Sequence, residues 1–256
     1  VPRARGDWWY YTRTFEGKSY TVHCRAPKTT PKIVVNWDGT AESPILPNEQ
    51  VVLNVNQLAE GQSYCATGSV VTSPSHKLLA YSVDFKGDET CGLYVKDLET
   101  DEIVDHDETL EIYGSLKWGA DDSTLFYLKM DDTQRPFQVY RKTLMSKNQD
   151  DELLFQELDE LYWVHIYKSL DDKYLFIDSS SKETSEIHYL DLLDPHATLQ
   201  CIAKRRQKVL YEVEHRNAKW WISTNVGGTP NMRLMSANAE PNCESRWKDV
   251  VDKDGK

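Results

Sequence analysis

Short apolar runs recur along the chain at a nearly constant spacing. Four of them are rich in aromatic and β-branched residues, which favour strands with one face buried. Turn-forming residues precede each run: Pro, Asp or Asn, all of which favour tight turns. The runs begin 46, 50 and 46 residues apart, at positions 78–84, 124–130, 174–180 and 220–226. The pattern predicts four equivalent strands, one in each copy of a repeated unit.

A second series of strands follows the first with the same period. Its members tend to alternate apolar with polar residues, begin 46, 48 and 45 residues apart, and occupy positions 92–98, 138–144, 186–192 and 231–237. A further pair at 8–14 and 20–26 has a matching offset of 12 residues. The stretch 43–60 lengthens the first repeat to 70 residues, and we expect it to hold a short outer strand at 49–53, a turn and a brief helix.

A period of 45–50 residues built from short antiparallel strands is typical of β-propellers, in which each blade has four strands. Leucine-rich and helical repeats are shorter or have a 3.6-residue period, and a β-sandwich does not require a constant period. The predicted fold class is therefore all-β: an incomplete β-propeller of about five four-stranded antiparallel blades. Because no low-complexity linker interrupts the chain, residues 1–256 are predicted to form one propeller region.

Composition and charge narrow the functional classes. The net charge is −11, so the chain repels phosphate backbones and nucleic acid is not an expected partner. No apolar run approaches the roughly 20 residues of a membrane span, and no signal peptide is recognisable. The five cysteines are widely spread, without a C-x-x-C motif or a disulfide framework. We expect a cytoplasmic protein with no cofactor, no metal site and no membrane association.

Two short glycine-containing motifs match catalytic or phosphate-binding patterns only in part. A hydrolase nucleophile elbow requires Gly-x-Ser-x-Gly, and the nearest string places Ser63 between Gly61 and Cys65 with no helix pattern after it. Ser63 is therefore interpreted as structural. Gly227 and Gly228 lack the Lys-Ser/Thr of a phosphate-binding loop and are predicted to form a hairpin turn. No catalytic residue is predicted within this chain.

The remaining polar and aromatic candidates also favour structural roles. The histidines lack metal-ligand spacing, and the two predicted within strands, His23 and His188, are expected to be packed and hydrogen-bonded. The acidic run 105–108 is expected to be a solvated interblade loop without calcium-loop spacing, and the basic triplet 204–206 an exposed loop. Most of the clustered aromatic residues are expected to fill the space between blades: Trp8, Trp9, Tyr10, Tyr11, Trp118, Trp163, Trp220 and Trp221.

Several segments, in this order, resemble the propeller of the prolyl oligopeptidase family, and particularly its oligopeptidase B branch in trypanosomatids. They include Asp-Trp-Trp-Tyr-Tyr-Thr-Arg at 7–13, Asn-Val-Asn-Gln-Leu-Ala-Glu-Gly at 54–61, the segment 71–84, Leu-Tyr-Val-Lys-Asp-Leu-Glu-Thr at 93–100 and Asn-Met-Arg-Leu at 231–234. The resemblance runs from about residue 7 to about residue 247. It implies a cytosolic serine peptidase in which a seven-bladed propeller covers a C-terminal α/β-hydrolase domain and restricts substrates to short peptides.

The same resemblance implies cleavage after Arg or Lys by a Ser–Asp–His triad on the hydrolase domain. Only about five of the seven repeats are recognised, and the chain starts without Met and ends at Lys256 in a predicted loop. We therefore expect a fragment whose catalytic domain lies outside the sequence. The expected partners are short basic peptides, drawn by the acidic surface, and the protein's own catalytic domain. Because some blade faces are left without a neighbour, we expect the fragment either to self-associate through those faces or to be marginally stable. A stable, non-associating monomer in sedimentation would contradict this expectation.

Two alternative functions remain open from the residues. A free-standing propeller could act as a scaffold for protein partners. A propeller enzyme with its site in the central channel, such as a glycosidase or lactonase, would require converging carboxylates or metal ligands that the predicted inner strands do not display. A hydrolase domain encoded after residue 256 distinguishes the peptidase from the scaffold.

Overall fold

The structure, a computed structural model, describes residues 2–28, 45–146, 151–229 and 231–250. It divides into two compact units. Unit 1 consists of Val1–Thr67 with Val83–Asp88, and unit 2 consists of Gly68–Ser82 with Glu89–Lys256. Described strands are short, antiparallel and joined mostly by tight turns. The predicted all-β class is therefore confirmed.

Unit 1 contains one four-stranded sheet in the order β1-β2-β3-β4. Its strands are β1 (Arg3–Arg5), β2 (Trp8–Arg13), β3 (Val22–Pro27) and β4 (Gln50–Asn54). A single helical turn, α1 (Val55–Leu58), follows β4 directly because the Asn54 side chain accepts a hydrogen bond from the backbone N–H of Asn56 at 3.1 Å. The outer strand and brief helix predicted for 43–60 are thus present, and residues 43 and 44 lie outside the described part.

The remaining strands form three sheets. A seven-stranded sheet has the order β5 to β11, and two four-stranded sheets have the orders β12-β13-β14-β15 and β16-β17-β18-β19. The bounds are β5 (Ala66–Thr72), β6 (Leu78–Asp84), β7 (Cys91–Asp97), β8 (Ile103–Trp118), β9 (Thr124–Met130), β10 (Pro136–Thr143), β11 (Glu152–Gln156), β12 (Trp163–Lys168), β13 (Tyr174–Ser180), β14 (Ser185–Asp191), β15 (Gln200–Ala203), β16 (Tyr211–Arg216), β17 (Lys219–Thr224), β18 (Arg233–Asn238) and β19 (Lys248–Asp249).

The seven-stranded sheet is two blades that share one long strand. The first half of β8 pairs with β7, from Ile103 opposite Lys96, whereas its second half pairs with β9, up to Trp118 opposite Leu125. The strand changes partner near Glu111, which adopts a left-handed φ of 51°. Counting each half of β8 once, the described residues form five four-stranded blades, as the repeat predicts. In chain order they are the first blade (β1–β4), the second (β5 to the first half of β8), the third (the second half of β8 to β11), the fourth (β12–β15) and the fifth (β16–β19).

Predicted and observed strands agree closely. All four first-series strands are present as β6, β9, β13 and β17, and all four second-series strands as β7, β10, β14 and β18. Three ends differ. Residues 20 and 21 precede β3, residues 231 and 232 precede β18, and residues 225 and 226 follow β17, because each belongs to the turn that reverses the chain.

Three apolar cores fill the spaces between successive blades of unit 2. Alternate residues of facing strands supply them, since side chains point to opposite faces of a strand with a period of two. The core between the last two blades is the most aromatic and centres on Trp220, which is fully buried. The cores of the two preceding spaces centre on Leu125 and on Leu175. Burial on both faces of a blade therefore explains the continuous apolar runs of the first-series strands.

Candidate functional site

The structure places the two tested motifs in ordinary loops. Ser63 is exposed in the segment just before β5, not in a strand-to-helix turn, and Gly61 has a left-handed φ of 77°. Gly227 and Gly228 have φ values of 85° and 74° in the turn between β17 and β18. Glycine accepts this conformation without strain, so the predicted hairpin turn is confirmed. Neither motif has the backbone geometry of a hydrolase nucleophile elbow.

The histidines are dispersed, but two of them meet other titratable groups. His23 and His188 lie within β3 and β14 as predicted, and burial lowers the pKa of both. His215, at the end of β16, is buried and its Nδ1 lies 2.6 Å from Asp171 Oδ2. Tyr174 and Trp220 pack edge-on against the His215 ring, which fixes its orientation. This contact joins the last two blades.

The acidic run 105–108 is not a loop, as the sequence analysis expected, but part of strand β8. Alternation still leaves some of its side chains at the surface, where Glu108 accepts a hydrogen bond from Tyr94 and Asp105 accepts one from the backbone N–H of Met145. The run is therefore a hydrogen-bonded strand edge. The prediction was wrong because a run of charged residues suggests a loop, whereas this run lies in the first half of β8, which pairs with β7.

The basic triplet 204–206 is only partly an exposed loop. Lys204 and Arg206 are exposed, but Arg205 is half-buried between two blades. Its guanidinium pairs with Glu157 and lies 3.5 Å from Glu186 Oε1, while its plane covers the ring of Tyr162 at 4.0 Å. Arg205 is thus a positioning residue for two carboxylates.

Half of the clustered aromatic residues fill or adjoin cores, fewer than predicted. Trp118 and Trp220 are almost fully buried, Tyr11 is buried in unit 1, and Trp9 packs against the core there. Trp8, Tyr10 and Trp221 are half-buried, and 45% of Trp163 is exposed at the start of β12. Trp8 lies under the Arg25 guanidinium at 3.9 Å, an arrangement that a cation and an aromatic face stabilise.

A compact polar cluster lies where the chain passes from the third blade to the fourth. Burial alone would raise the pKa of Glu157, but hydrogen bonds from Arg205 and Ser179 lower it below its ordinary value. Glu186, near the start of β14, accepts a hydrogen bond from the backbone N–H of Arg205 at 2.8 Å. Two carboxylates therefore share one guanidinium.

Two further donor groups adjoin this cluster. His188 lies two residues after Glu186 on the same face of β14, and Cys201 lies directly opposite His188 on β15. The donor atoms of Glu186, His188 and Cys201 all lie within 4.8 Å of one another. Nδ1 of His188 is buried and has no hydrogen-bond partner within the described part of the chain. We call Glu186, His188 and Cys201 the donor triad.

Sequence reasoning missed the donor triad because it searched for histidines spaced relative to other histidines. The signal is present in another form: Glu-x-His on a predicted strand, followed by Cys on the next strand. This pattern shows that the cysteine lies on the same face of the sheet as the glutamate and histidine only when the register between the two strands is known. A register shift after Ile187 sets Cys201 opposite His188, and such a bulge is not readable from the repeat.

The two ends of the last three blades differ in charge. At one end of these blades lie the loops that join the first strand to the second and the third strand to the fourth. We call it the acidic end, and its loops are 119–123, 144–151, 169–173, 192–199, 217–218 and 239–247. Their described residues carry eight carboxylates and two cations. The other loops lie at what we call the crossing end (131–135, 157–162, 181–184, 204–210 and 225–232). Those loops carry six carboxylates and six cations among their described residues.

The acidic end contains a cleft of about 460 Å³ between the third and fourth blades. Its polar lining includes one guanidinium, that of Arg141, and four carboxylates. The carboxylates belong to Asp121, Glu152, Asp191 and Asp194. Arg141 is already paired with Glu152, with 2.8 Å between Nε and Oε2, so the cleft presents a net negative lining.

The crossing end also carries exposed apolar side chains, as the acidic end does at Met145, Leu170 and Leu193. Leu158 and Leu161 in loop 157–162 are 79% and 76% exposed, and Trp163 follows them at the start of β12. The Arg135 side chain positions this loop, because its guanidinium donates hydrogen bonds to the carbonyl oxygens of Asp159 and Tyr162 at 3.2 and 2.7 Å. The loop is thus held firmly while presenting two leucines outward.

Two further findings concern the whole chain. All five cysteines are free, which confirms that there is no disulfide framework. In the described residues, no helix is both long enough and apolar enough to cross a membrane.

The chain is similar to proteins of one peptidase family. It is 36% identical over 236 residues to "Protease 2" of Moraxella lacunata, covering 92% of this chain and 33% of that protein. It is 31% identical over 252 residues to "Dipeptidyl aminopeptidase BI" of Pseudoxanthomonas mexicana, covering 98% of this chain and 35% of that protein. The chain therefore spans about a third of the length of the curated relatives it matches.

Solved structures give the same result. The structure of oligopeptidase B from Leishmania major superposes with a TM-score of 0.84 at 32% identity, over 98% of this chain and 33% of that one. Oligopeptidase B from Trypanosoma brucei with covalently bound antipain gives a TM-score of 0.81, also at 32% identity, over 98% of this chain and 34% of that one. The family model "Prolyl oligopeptidase, N-terminal beta-propeller domain" matches residues 1–256. The chain therefore belongs to the prolyl oligopeptidase family, as its N-terminal β-propeller domain.

Proposed function

We propose that this chain is the substrate-gating propeller of a cytoplasmic serine oligopeptidase that cleaves short peptides after Arg or Lys. The observation that carries the proposal is the family membership together with the similarity to two structures of oligopeptidase B at 32% identity. In the proposed protein, an α/β-hydrolase domain outside this sequence supplies the Ser–Asp–His triad. The propeller supplies selection by size and charge.

The two ends of unit 2 differ in surface charge, which supports different roles for them: one in contact with the hydrolase domain and one in attracting peptides. Loops of the crossing end have balanced charge and present Leu158 and Leu161, and apolar surface with few unpaired charges is typical of the core of a protein interface. We assign this end to contact with the hydrolase domain. The acidic end has an excess of six negative charges over its described loops, which would attract cationic peptides from solution.

The test is a cleavage assay on the complete protein that carries this sequence. We expect efficient cleavage of short fluorogenic peptides after Arg or Lys and at least about 100-fold lower kcat/KM after Ala or Pro, since a buried charged pocket discriminates strongly. A serine-directed phosphonate should abolish the activity. Raising the salt concentration should lower kcat/KM for cationic peptides more than for neutral ones.

The same assay includes a size control. A target sequence should be cleaved in a short peptide but not when it lies in an exposed loop of a folded protein, because the propeller restricts access. Absence of any peptidase activity would refute the proposal and favour a scaffold. Cleavage after Pro would keep the peptidase but refute the specificity, and equal cleavage of peptide and folded protein would refute the gating role.

A further inference from the structure

The donor triad has the composition of a metal site. A carboxylate, an imidazole and a thiol are the side chains that bind Zn²⁺ in proteins, and three protein ligands leave a fourth position open for water or another ligand. Tetrahedral bonds of 2.0–2.3 Å place ligand atoms about 3.3–3.8 Å apart. In the structure, His188 Nε2 lies 3.7 Å from Glu186 Oε1, and all three donor atoms fit within 4.8 Å. The triad therefore needs only small side-chain movements to close around one ion.

The sheet holds these donors in place without a bound ion. Glu186 and His188 are two residues apart on β14, so their side chains share a face, and Cys201 is the cross-strand partner of His188. The Phe155 ring from the neighbouring blade packs against the imidazole, with 5.0 Å between the two ring centroids. The backbone therefore pre-arranges three donors on two paired strands.

The hydrogen bonding around His188 leaves capacity for a ligand. Its Nδ1 is buried without a hydrogen-bond partner in the described residues, and its other ring nitrogen is 3.7 Å from Glu186, beyond hydrogen-bonding distance. The nitrogen that faces Glu186 is Nε2, so Nε2 is the atom that an ion held between the two side chains would contact.

The local charge is also compatible with a divalent cation. Glu157 and Glu186 share a single guanidinium, that of Arg205, and Lys204 is a further cation near Cys201, so the two carboxylates are balanced before any thiolate forms. Arg205 keeps its ion pair with Glu157 and its contact with Tyr162 when Glu186 turns to an ion. The side chains of Glu186 and His188 are 15% and 16% exposed, so an ion can enter from solvent.

The geometry points to a zinc-class divalent metal site formed by Glu186, His188 and Cys201 at the crossing end of the fourth blade. On binding, the S–H bond of Cys201 breaks, a metal–sulfur bond forms, and one proton passes to solvent, without any change in oxidation state. The bound ion ties β14 to β15 and holds Glu186 beside the loop that carries Leu158 and Leu161.

The experiment uses the complete protein that carries this sequence, reduced with a phosphine and freed of metal by a chelator. Zn²⁺ uptake is measured by calorimetry, and Co²⁺ uptake by the near-ultraviolet absorption of a cobalt–thiolate bond. We expect the wild type to bind one equivalent more than Cys201→Ser, and His188→Gln to bind at least about 100-fold more weakly. Zinc should raise the melting temperature of the wild type but not of either variant.

Matched controls come from residues outside the triad. Cys65→Ser removes another buried thiol, and His196→Gln removes another histidine of the same blade; both should bind as the wild type does. Melting curves without metal show whether each variant is folded. If Cys201→Ser does not fold, the cobalt–thiolate absorption of the wild type and its loss in His188→Gln decide the question. Equal uptake by wild type and Cys201→Ser, or absent cobalt–thiolate absorption, would each overturn the site.

Discussion

Asp178 shows how a single half-buried carboxyl group affects stability. It lies in the middle of β13, and its Oδ1 has no hydrogen-bond partner within the described residues. Burial, reinforced by the nearby charge of Glu212 and only partly offset by a hydrogen bond from Ser180, raises the pKa of Asp178 to about 6. The folded state therefore favours the protonated form more than the unfolded state does.

The consequence for stability has a defined sign. Below about pH 4 the carboxyl group is protonated in both states and costs nothing, whereas above about pH 6 the folded chain must hold a buried charge. We predict that Asp178→Asn stabilises the fold by about 1–3 kcal/mol at pH 7 and that the gain disappears below about pH 4. Chemical unfolding at several pH values measures it.

Asp132→Asn, which changes an exposed carboxylate, provides the control and should alter stability by less than about 0.5 kcal/mol. A destabilised Asp178→Asn variant at pH 7 would show that the charge has a favourable partner after all. This prediction rests on burial of one residue and its neighbours, which the repeat in the sequence does not reveal.

At the scale of a strand, Trp220 and Trp221 show that two adjacent residues of the same type can differ in burial. They are adjacent in β17 and point to opposite faces. Trp220 is fully buried, with its ring 4.9 Å from that of Tyr189 and its Nε1 donating to the carbonyl oxygen of Glu240 at 3.1 Å. Trp221 is partly exposed and donates to the carbonyl oxygen of Arg216 at 3.3 Å.

We predict that Trp220→Ala destabilises the chain by about 3–5 kcal/mol, because it leaves a cavity between two blades. Trp221→Ala should cost about 1 kcal/mol or less, since water can fill the space it leaves. Urea unfolding measures both. Similar losses in the two variants would contradict the assignment of faces.

Strand positions could be predicted from the sequence, but several strand relations could not. The first-series and second-series strands were located because their apolar runs repeat with a fixed period. The continuity of β8 was not predicted, because its first half contains the acidic run 105–108, which suggests a loop. The donor triad was not predicted either, because it depends on a one-residue register shift between β14 and β15.

At the scale of the molecule, the crossing end offers a test of domain docking. Leu158 and Leu161 are 79% and 76% exposed there, whereas Leu170 is 87% exposed in a loop of the acidic end. We predict that Leu158→Lys with Leu161→Lys lowers kcat/KM of the complete protein at least about tenfold, because it places two charges in an apolar interface. Leu170→Lys, a leucine of similar exposure at the other end, should leave kcat/KM unchanged.

Peptide hydrolysis and melting temperature, measured on the same preparations, distinguish docking from folding. The double variant should melt as the wild type does in its propeller transition, since neither leucine contributes to a core. Unaltered kcat/KM in the double variant would remove the crossing end as the docking surface. A loss in Leu170→Lys instead would move that surface to the acidic end.

The shared strand β8 limits how such a chain can evolve by exchange of repeats. A recombination event that adds, removes or swaps a blade needs a boundary where the backbone can be cut without losing ladder hydrogen bonds. Loops 157–162 and 204–210 offer such boundaries between later blades. Between β7 and β9 no such loop exists, because Ile103–Trp118 is one uninterrupted strand. The second and third blades are therefore expected to be inherited together, as a module of two.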